Sequence, residues 1–185
     1  MTRIIAGAAG GLRLRVPARG TRPTSDRVRE AMFSALEARD AIRGALVADL
    51  YAGSGALGLE AASRGARDVI LVEMEPAAAA VARANADRVV GAGVESTVRV
   101  VAREVASWMS GAAGPLDLVF VDPPYELGNA ALESALARLT TLMSAAGLVI
   151  VERSTRTAEP SWPEGLTLSR TSDYGDTRLY WLDAS

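Results

Sequence analysis

The chain lacks three residue types that many enzymes use as catalytic groups. Its 185 residues include no cysteine and no histidine, and all 20 basic residues are arginine, so lysine is absent too. The missing cysteine excludes disulfides and thiol chemistry, and the missing histidine excludes imidazole bases and the usual zinc sites. Without lysine there is neither a Schiff-base residue nor a Walker lysine. These absences exclude much enzyme chemistry, and we expect no metal.

The chain also lacks a long apolar run and a secretion leader. No stretch of about 18 consecutive apolar residues occurs, which gives no candidate membrane span. No charged-then-apolar segment opens the chain. A length of 185 residues fits one domain with at most a small appendage. We therefore expect a cytoplasmic protein without a membrane partner, and nothing in the sequence demands more than a monomer.

Charge is distributed unevenly. Residues 1–30 carry seven arginines against two acidic residues, a charge of +5, which leaves -7 for the remainder because the formal net charge is -2. Alternation in residues 12–16 predicts a hairpin with residues 3–7 that has one arginine-bearing face. The asymmetry fits contact with a polyanion or a solvated basic terminus. The candidate contact residues are Arg3, Arg13, Arg15, Arg22 and Arg27.

The most informative stretch is a glycine-rich segment, residues 49–58, which reads Asp-Leu-Tyr-Ala-Gly-Ser-Gly-Ala-Leu-Gly. It predicts a strand, a tight turn and a helix whose bare backbone can cradle a ligand. The glycine spacing also fits a dinucleotide-binding turn, but a carboxylate at Asp49 repels a pyrophosphate and suits the ammonium of a methionine-type tail. The pattern therefore favours S-adenosylmethionine. The predicted contacts in this segment are Asp49, Ala52, Gly53, Ser54, Gly55 and Leu57.

From residue 45 onward, predicted strands and helices alternate. Near-continuous apolar strands predict a parallel sheet covered by helices on both faces. The final two strands have no room for a helix between them, so they should pair as an antiparallel hairpin at one edge of the sheet. The predicted strands are 46–50, 68–73, 97–101, 117–121, 147–152, 166–172 and 177–182, and the predicted helices are 56–64, 76–90, 103–110 and 129–143.

Further polar residues follow these strands where such a sheet binds ligands, at the carboxyl edge. Glu73 can accept both hydroxyls of a ribose, and Met74 lies beside it. Arg103, Glu104 and Val105 follow the third strand of the sheet, where an adenine edge would lie. We predict that these five residues complete the cofactor site.

The segment Asp122-Pro123-Pro124-Tyr125 follows the fourth strand. The prolines lock the backbone, so the Pro123 carbonyl can point into the site while Tyr125 is held at a fixed angle. Asp122 and that carbonyl could each accept one hydrogen of an NH2 group on a planar base stacked on Tyr125. The nitrogen lone pair would then face a sulfonium methyl group. We predict Asp122, Pro123 and Tyr125 as catalytic residues, with Asp122 also bordering the cofactor.

Together these motifs resemble the bacterial 16S ribosomal RNA guanine N2 methyltransferase family. The shared motifs run nearly end to end: residues 3–7, 22–30, 52–60, 63–66, 122–125 and 174–179. The resemblance implies an α/β fold, the Rossmann-like class I methyltransferase with a seven-stranded sheet and an antiparallel C-terminal hairpin. It implies a basic RNA-binding β-hairpin arm at 1–23 ahead of a methyltransferase domain at 24–185. It also implies S-adenosylmethionine as donor, S-adenosylhomocysteine as product, and 16S ribosomal RNA or the small subunit as partner.

Other interpretations remain open at this point. DNA adenine methyltransferases share the Asp-Pro-Pro-Tyr signature, but reading duplex sequence generally takes a dedicated recognition region, and only about 45 residues precede the core here. Protein-glutamine methyltransferases usually have asparagine where Asp122 stands. A non-catalytic or NAD-binding Rossmann module would explain the glycines, but it would leave residues 122–125 and the basic arm unexplained.

Overall fold

A computed structural model describes residues 2–17 and 25–185 of the chain. Its strands are β1 Thr2–Arg3, β2 Arg13–Leu14, β3 Leu46–Leu50, β4 Asp68–Val72, β5 Thr97–Val101, β6 Leu116–Val121, β7 Met143–Ser154, β8 Leu166–Tyr174 and β9 Thr177–Ala184. Its helices are α1 Asp26–Ala38, α2 Ala56–Ser63, α3 Pro76–Gly91, α4 Val105–Met109 and α5 Asn129–Leu139, with a 3₁₀ turn at Thr140–Leu142.

Seven strands form one sheet in the order β5-β4-β3-β6-β7-β9-β8. The pairs among β3 to β7 are parallel, and β9 pairs antiparallel with both β7 and β8. A separate two-stranded antiparallel sheet joins β1 to β2. The predicted fold class is confirmed: a mostly parallel seven-stranded sheet with an antiparallel C-terminal hairpin and a small N-terminal hairpin.

Both faces of the sheet are buried along its inner strands, as the apolar strands predicted, whereas the edge strands β5 and β8 are partly exposed. Along β3, Val47 packs into a cluster with α1, α2 and α3, whereas Ala48 packs into the opposite cluster with α4 and α5. Successive residues of a strand face opposite sides, so both faces must be apolar when helices cover both. Among residues 2–17 and 25–185, no helix has the length and apolar character needed to cross a membrane.

Several predicted boundaries were wrong. The helix predicted at 129–143 ends at Leu139, and Met143 already begins β7, four residues before the predicted start at 147. The apolar run there fits either period, so spacing could not separate a buried helix end from a buried strand. The helix predicted at 103–110 shrinks to α4, and the N-terminal strands predicted at 3–7 and 12–16 shrink to two residues each. The C-terminal hairpin turn is tighter than predicted, with Gly175 at φ 62° between strands that end at Tyr174 and begin at Thr177.

The N-terminal segment, residues 2–17, is docked onto helix α2. Glu60, which is fully buried, accepts hydrogen bonds from the backbone N–H groups of Ile5 (2.7 Å) and Ala6 (3.0 Å). Ser63 Oγ donates to the carbonyl of Ala6 (2.6 Å) and accepts from the N–H of Ala9 (3.0 Å). The segment is therefore held through its backbone as well as through buried side chains such as Ile4 and Leu14, while Arg13 and Arg15 stay exposed. The predicted domain boundary at 23/24 lies outside the described residues. Ser25 precedes α1 and caps it, because its side chain accepts a hydrogen bond from the N–H of Val28 at 3.3 Å.

The charge of Glu60 is balanced by two buried arginines. Its Oε1 accepts from Nε of Arg64 at 2.7 Å, and its Oε2 lies 3.7 Å from Nη1 of Arg29. Arg29 also donates to the carbonyl of Arg3 (2.8 Å) and to Asp26 (2.7 Å). A buried carboxylate persists when it is paired and its lone pairs are hydrogen-bonded. This network therefore joins the N-terminal segment, α1 and α2.

We predict that Gly7→Ala destabilises the protein by disrupting this docking. Gly7 has φ +85°, and a Cβ placed there would lie 2.0 Å from the carbonyl oxygen of Ser63. The free energy of unfolding, measured with urea, should fall by roughly 2–4 kcal/mol from the combined steric and left-handed backbone costs.

Gly11→Ala is the matched control for this substitution. Gly11 has nearly the same φ, +84°, but none of the described atoms lies within 4 Å of a Cβ placed there. The free energy of unfolding of this variant should fall only by the left-handed backbone cost, ~1 kcal/mol. Equal losses in the two variants would contradict the docking contact.

Candidate active site

A cavity of about 550 Å³ opens at the carboxyl edge of the parallel strands. Its described lining comes from the N-terminal segment, α1, the loops after β3, β4, β5 and β6, and one side of α5. These residues are Val16, Pro17, Arg29, Asp49, Tyr51, Ala52, Gly53, Ser54, Ala56, Leu57, Glu73, Met74, Glu75, Ala78, Glu104, Val105, Ala106, Asp122, Pro124, Leu127, Ala131, Ser134, Ala135 and Arg138. A cavity of this size accommodates a small organic molecule.

The turn between β3 and α2 brings bare backbone to this cavity. Gly53 has φ +54°, and none of the described atoms lies within 4 Å of a Cβ placed there. Tyr51, which is not glycine, also has a positive φ of 64°. Such strain persists only where surrounding contacts enforce it, and it is common at ligand sites. The predicted glycine turn is therefore present and opens onto the cavity, and its role as a cofactor cradle stays a prediction.

Asp49 is buried beneath that turn. Its Oδ2 accepts from the backbone N–H of Gly58 at 2.9 Å, so the carboxylate also anchors the first turn of α2. Burial raises the pKa of Asp49 from 3.8 to about 7, the nearby charge of Glu73 adds to the rise, and the Gly58 hydrogen bond opposes it. An approaching cation would stabilise the ionised form.

Glu73 directs its carboxylate at the same turn. Its Oε2 accepts from the N–H of Gly53 at 2.9 Å, and its Oε1 accepts from the N–H of Glu75 at 2.8 Å. Glu73 therefore lies against the backbone cradle at the end of the adjacent strand, where the sequence predicted a ribose contact. The ribose contact itself stays a prediction.

Most predicted cofactor residues line the cavity, and two do not. Asp49, Ala52, Gly53, Ser54, Leu57, Glu73, Met74, Glu104, Val105 and Asp122 all lie in its wall. Gly55 instead caps α2 with φ +80°, and a Cβ there would lie 2.7 Å from Cδ1 of Leu71. Arg103 is exposed in the short turn before α4, where its N–H donates to the carbonyl of Val101, and it lies outside the described lining.

The charged side chains in the described lining of the cavity are mostly acidic. Five carboxylate residues face two arginines there: Asp49, Glu73, Glu75, Glu104 and Asp122 against Arg29 and Arg138. An acidic cavity disfavours a pyrophosphate and favours a ligand that carries positive charge. S-adenosylmethionine has a sulfonium and an ammonium group, so these carboxylates suit it. The same carboxylates argue against an NAD-binding module.

Sequence reasoning missed several residues of this wall. Val16 and Pro17 line the cavity, and they are held there by Asn85 of α3, which is fully buried. The Asn85 side chain accepts from the N–H of Arg15 (2.8 Å) and donates to the carbonyls of Arg15 and Ser54 (both 2.9 Å). The only sequence signal was an asparagine inside an alanine-rich helix, a position that does not favour it. Arg29 was missed because it lies within a core-facing helical pattern.

A second, shallow recess lies on the other side of Asp122. Its lining comes from the loop after β6, the end of β7 and the β8–β9 turn: Asp122, Pro123, Tyr125, Glu152, Arg153, Ser154, Thr157, Asp176 and Thr177. All three predicted catalytic residues therefore lie together, with Tyr125 66% exposed at the rim. Asp122 also lines the larger cavity at the carboxyl edge of the sheet. The two sites meet at this one carboxylate.

The environment of Asp122 favours its neutral form. Burial raises the pKa of Asp122 well above its ordinary value, and the charges of Glu152 and Asp49 add to the rise, while Arg153 opposes it. A carboxyl group held in this way can take up a proton more readily than an exposed one. Asp122 is positioned to accept a hydrogen bond from a group bound in the recess.

The described arginines predicted for RNA lie at the surface of the N-terminal segment and α1. Arg13 and Arg15 are exposed, whereas Leu14 between them is buried, which confirms the predicted arginine-bearing face. The Arg3 side chain is 64% exposed and lies 3.7 Å from Asp26. Arg27 is exposed on the first turn of α1. The remaining predicted contact, Arg22, lies outside the described residues.

We predict that Asp49→Asn stabilises the protein more at pH 8 than at pH 4. The pKa of Asp49 is higher in the folded state than in the unfolded state. The stabilisation of the folded state by protonated Asp49 is therefore complete below pH ~4 and is lost as the pH rises through about 7. Asparagine can keep the Gly58 hydrogen bond without that loss. The gain in unfolding free energy, measured with urea, should be larger at pH 8 by at least ~1 kcal/mol.

Asp87→Asn is the control, because Asp87 is exposed on α3. Its effect on unfolding should be small at both pH values. If the gain in unfolding free energy from Asp49→Asn does not change with pH, the pKa of Asp49 is not raised in the folded state.

Known proteins match this chain over nearly its whole length. A family described as conserved hypothetical protein 95 matches residues 2–183. The chain is 36% identical over 185 residues to ribosomal RNA small subunit methyltransferase D of Escherichia coli K12, covering 98% of this chain and 90% of that protein.

Solved structures are similar over nearly the whole chain. The Escherichia coli yhhF protein, a candidate methyltransferase, has a TM-score of 0.85 with 35% identity and covers 99% of this chain and 97% of its own. Magnesium protoporphyrin IX methyltransferase of Synechocystis PCC 6803, with bound SAM, has a TM-score of 0.68 with 17% identity. The match covers 90% of this chain and 87% of that chain, and it shows the fold alone. The resemblance drawn from the motifs is thus confirmed, and the chain belongs to the family described as conserved hypothetical protein 95.

Proposed function

We propose that this protein transfers a methyl group from S-adenosylmethionine to the N2 amine of a guanine in 16S ribosomal RNA. The observation that carries this proposal is the position of Asp122, which borders both the acidic cavity and the recess at the loop after β6. A single carboxylate between two pockets can hold an amine against a donor bound next to it.

The acidic cavity supports the choice of donor. S-adenosylmethionine supplies a methyl group on a positively charged sulfur. The open backbone at Gly53, the carboxylate of Glu73 against it and the buried Asp49 form a cradle suited to such a cation. A solved methyltransferase that shares the fold has S-adenosylmethionine bound.

The recess supports an amine as acceptor. Asp122 accepts one N–H of the amine, and the Pro123 carbonyl accepts the other, so the nitrogen lone pair faces the cavity. The lone pair forms the new N–C bond as the C–S bond breaks, and sulfur keeps that electron pair. The methylated nitrogen then loses a proton, which Asp122 can accept because the positively charged donor bound beside it favours the ionised carboxylate beforehand. The base ring lies against Tyr125 at the exposed rim.

Ribosomal RNA as acceptor is supported by the relatives and by the arginines. The similar Escherichia coli protein is named for small-subunit ribosomal RNA. Exposed Arg13 and Arg15 are suited to phosphates, and a single unstacked nucleotide in structured RNA can enter a shallow recess. We propose that the N-terminal arm holds the RNA and that the protein acts as a cytoplasmic monomer.

The direct test is methyl transfer to unmodified small-subunit RNA. With a tritiated donor, label should enter 16S RNA, and mass spectrometry of the digested RNA should place it on N2 of one guanine. Label on adenine of a DNA duplex instead would favour the DNA alternative. Absence of transfer combined with NAD binding would overturn the proposal.

We predict that Asp122→Ala lowers kcat by about 100-fold or more, because the amine loses its orienting acceptor. Donor affinity, measured by calorimetry, should stay within several-fold because the glycine turn is untouched. A variant with near wild-type turnover would show that Asp122 does not hold the amine.

Asp183→Ala serves as the control for this change. Asp183 is near the end of β9 and forms an exposed ion pair with Arg39 at 3.1 Å. Exposed pairs contribute little, so stability and turnover should be nearly unchanged.

We predict that replacing Arg13 and Arg15 together with alanine weakens RNA binding and flattens its salt dependence. The slope of log K against log salt should decrease by about 0.7 to 0.9 for every phosphate that the variant no longer neutralises. Filter binding of 16S RNA at several salt concentrations measures this slope.

Arg43 and Arg99 provide a charge-matched control pair. Both are exposed, with Arg43 just before β3 and Arg99 on the edge strand β5. Their double alanine variant should keep the wild-type slope. If the Arg13 and Arg15 variant also keeps it, the N-terminal arm does not bind the RNA.

A further inference from the structure

The shallow recess beside Asp122 contains two further carboxylates that the proposed chemistry does not use, Glu152 and Asp176, and Asp176 forms an ion pair with Arg156 at 3.3 Å. Val121 and Val151 pair across the parallel strands β6 and β7, so Asp122 and Glu152 are the next residues on neighbouring strands at the carboxyl edge. Both line the recess. Neighbouring positions at one sheet edge place both carboxylates within reach of a single bound base.

The recess also holds a cation with unused hydrogen-bonding capacity. Arg153 is 8% exposed, and its Nη2 donates to the carbonyl of Leu127 (2.9 Å) and to Asn129 (3.3 Å). Its buried Nε has no hydrogen-bond partner among the described residues. A buried donor without a partner is costly, and it is common where a ligand completes the site. The recess thus offers acceptors beside a donor.

This combination matches one edge of guanine. On that edge guanine presents N1–H and the N2 amine as donors and O6 as an acceptor, whereas adenine presents an N1 acceptor beside its N6 amine. Ionised carboxylates only accept hydrogen bonds and arginine only donates them. Glu152 would therefore attract guanine N1–H and repel the N1 lone pair of adenine.

We propose that Glu152 is the specificity-determining residue that selects guanine, by accepting the N1–H of the base whose N2 amine is held by Asp122. Arg153 lies on the O6 side of the same recess in this arrangement. The inference rests on the proposed function and adds the means of base selection. It assigns Glu152 no step in methyl transfer itself.

Base analogues at the target nucleotide give a sharp test. 2-Aminopurine keeps the N2 amine but has an N1 lone pair in place of N1–H and lacks O6. The substrate is small-subunit RNA ligated so that the mapped target nucleotide is either guanosine or 2-aminopurine riboside. Wild-type protein should prefer guanosine in kcat/KM by about 100-fold or more, since a carboxylate that accepts the N1–H of guanine repels the N1 lone pair of 2-aminopurine.

Glu152→Gln should shift that preference. The glutamine amide can donate to the N1 of 2-aminopurine, so kcat/KM for 2-aminopurine should rise. Guanosine keeps only a neutral acceptor for its N1–H in place of a charged one, so its kcat/KM should fall by about 10-fold or more. Glu152→Ala should lose guanosine activity without gaining 2-aminopurine activity. Glu95→Gln, at an exposed position before β5, should keep the wild-type ratio.

The possible failures are distinguishable. Wild-type protein that does not methylate guanosine RNA would overturn the proposed function. Wild-type protein that methylates guanosine but treats 2-aminopurine equally well would overturn the role of Glu152 alone, even if the Glu152 variants did not fold. A Glu152→Gln variant with normal donor binding and the wild-type base ratio would overturn it as well.

Discussion

The close approach of helix α2 to the sheet at Gly58 is the contact on which the site depends. A Cβ at Gly58 would lie 2.3 Å from Cδ2 of Leu71 and 3.1 Å from Cβ of Asp49, so only glycine fits. The approach lets the Gly58 N–H reach the buried Asp49 carboxylate at 2.9 Å. That hydrogen bond fixes the start of α2, and the turn before it is thereby held open at the carboxyl edge of the sheet.

The same edge concentrates negative charge at a cost to stability. Burial raises the pKa values of Asp49 and Asp122, and like charge raises them further, from Glu73 at Asp49 and from Glu152 and Asp49 at Asp122. Such groups destabilise the ionised protein until a cation is bound nearby. A positively charged donor would therefore be bound partly because it relieves repulsion already present. The arrangement is typical of sites whose function opposes stability.

Buried polar residues join the N-terminal segment to the glycine turn between β3 and α2. Asn85 bonds the backbone of Arg15 on one side and the carbonyl of Ser54 on the other. Glu60 holds Ile5 and Ala6 from below. The exposed arginine side chains and the glycine turn therefore share one rigid support, which fixes the proposed RNA surface relative to the proposed donor site.

The sequence alone determined the local parts of this site. The glycine turn with Asp49 and the rigid segment Asp122–Tyr125 depend on the backbone torsions of a few consecutive residues. Such local features can be predicted from the sequence. The alternation of apolar strands and helices likewise determined the parallel sheet. Only the tertiary structure decided that Asn85 holds the cavity wall and that Glu152 shares a recess with Asp122. The contacts of Asn85 join residues 31 and 70 positions apart, and no local pattern encodes a contact at that separation. Tertiary packing also decided where α5 ends, because its apolar run suited a helix and a strand equally well.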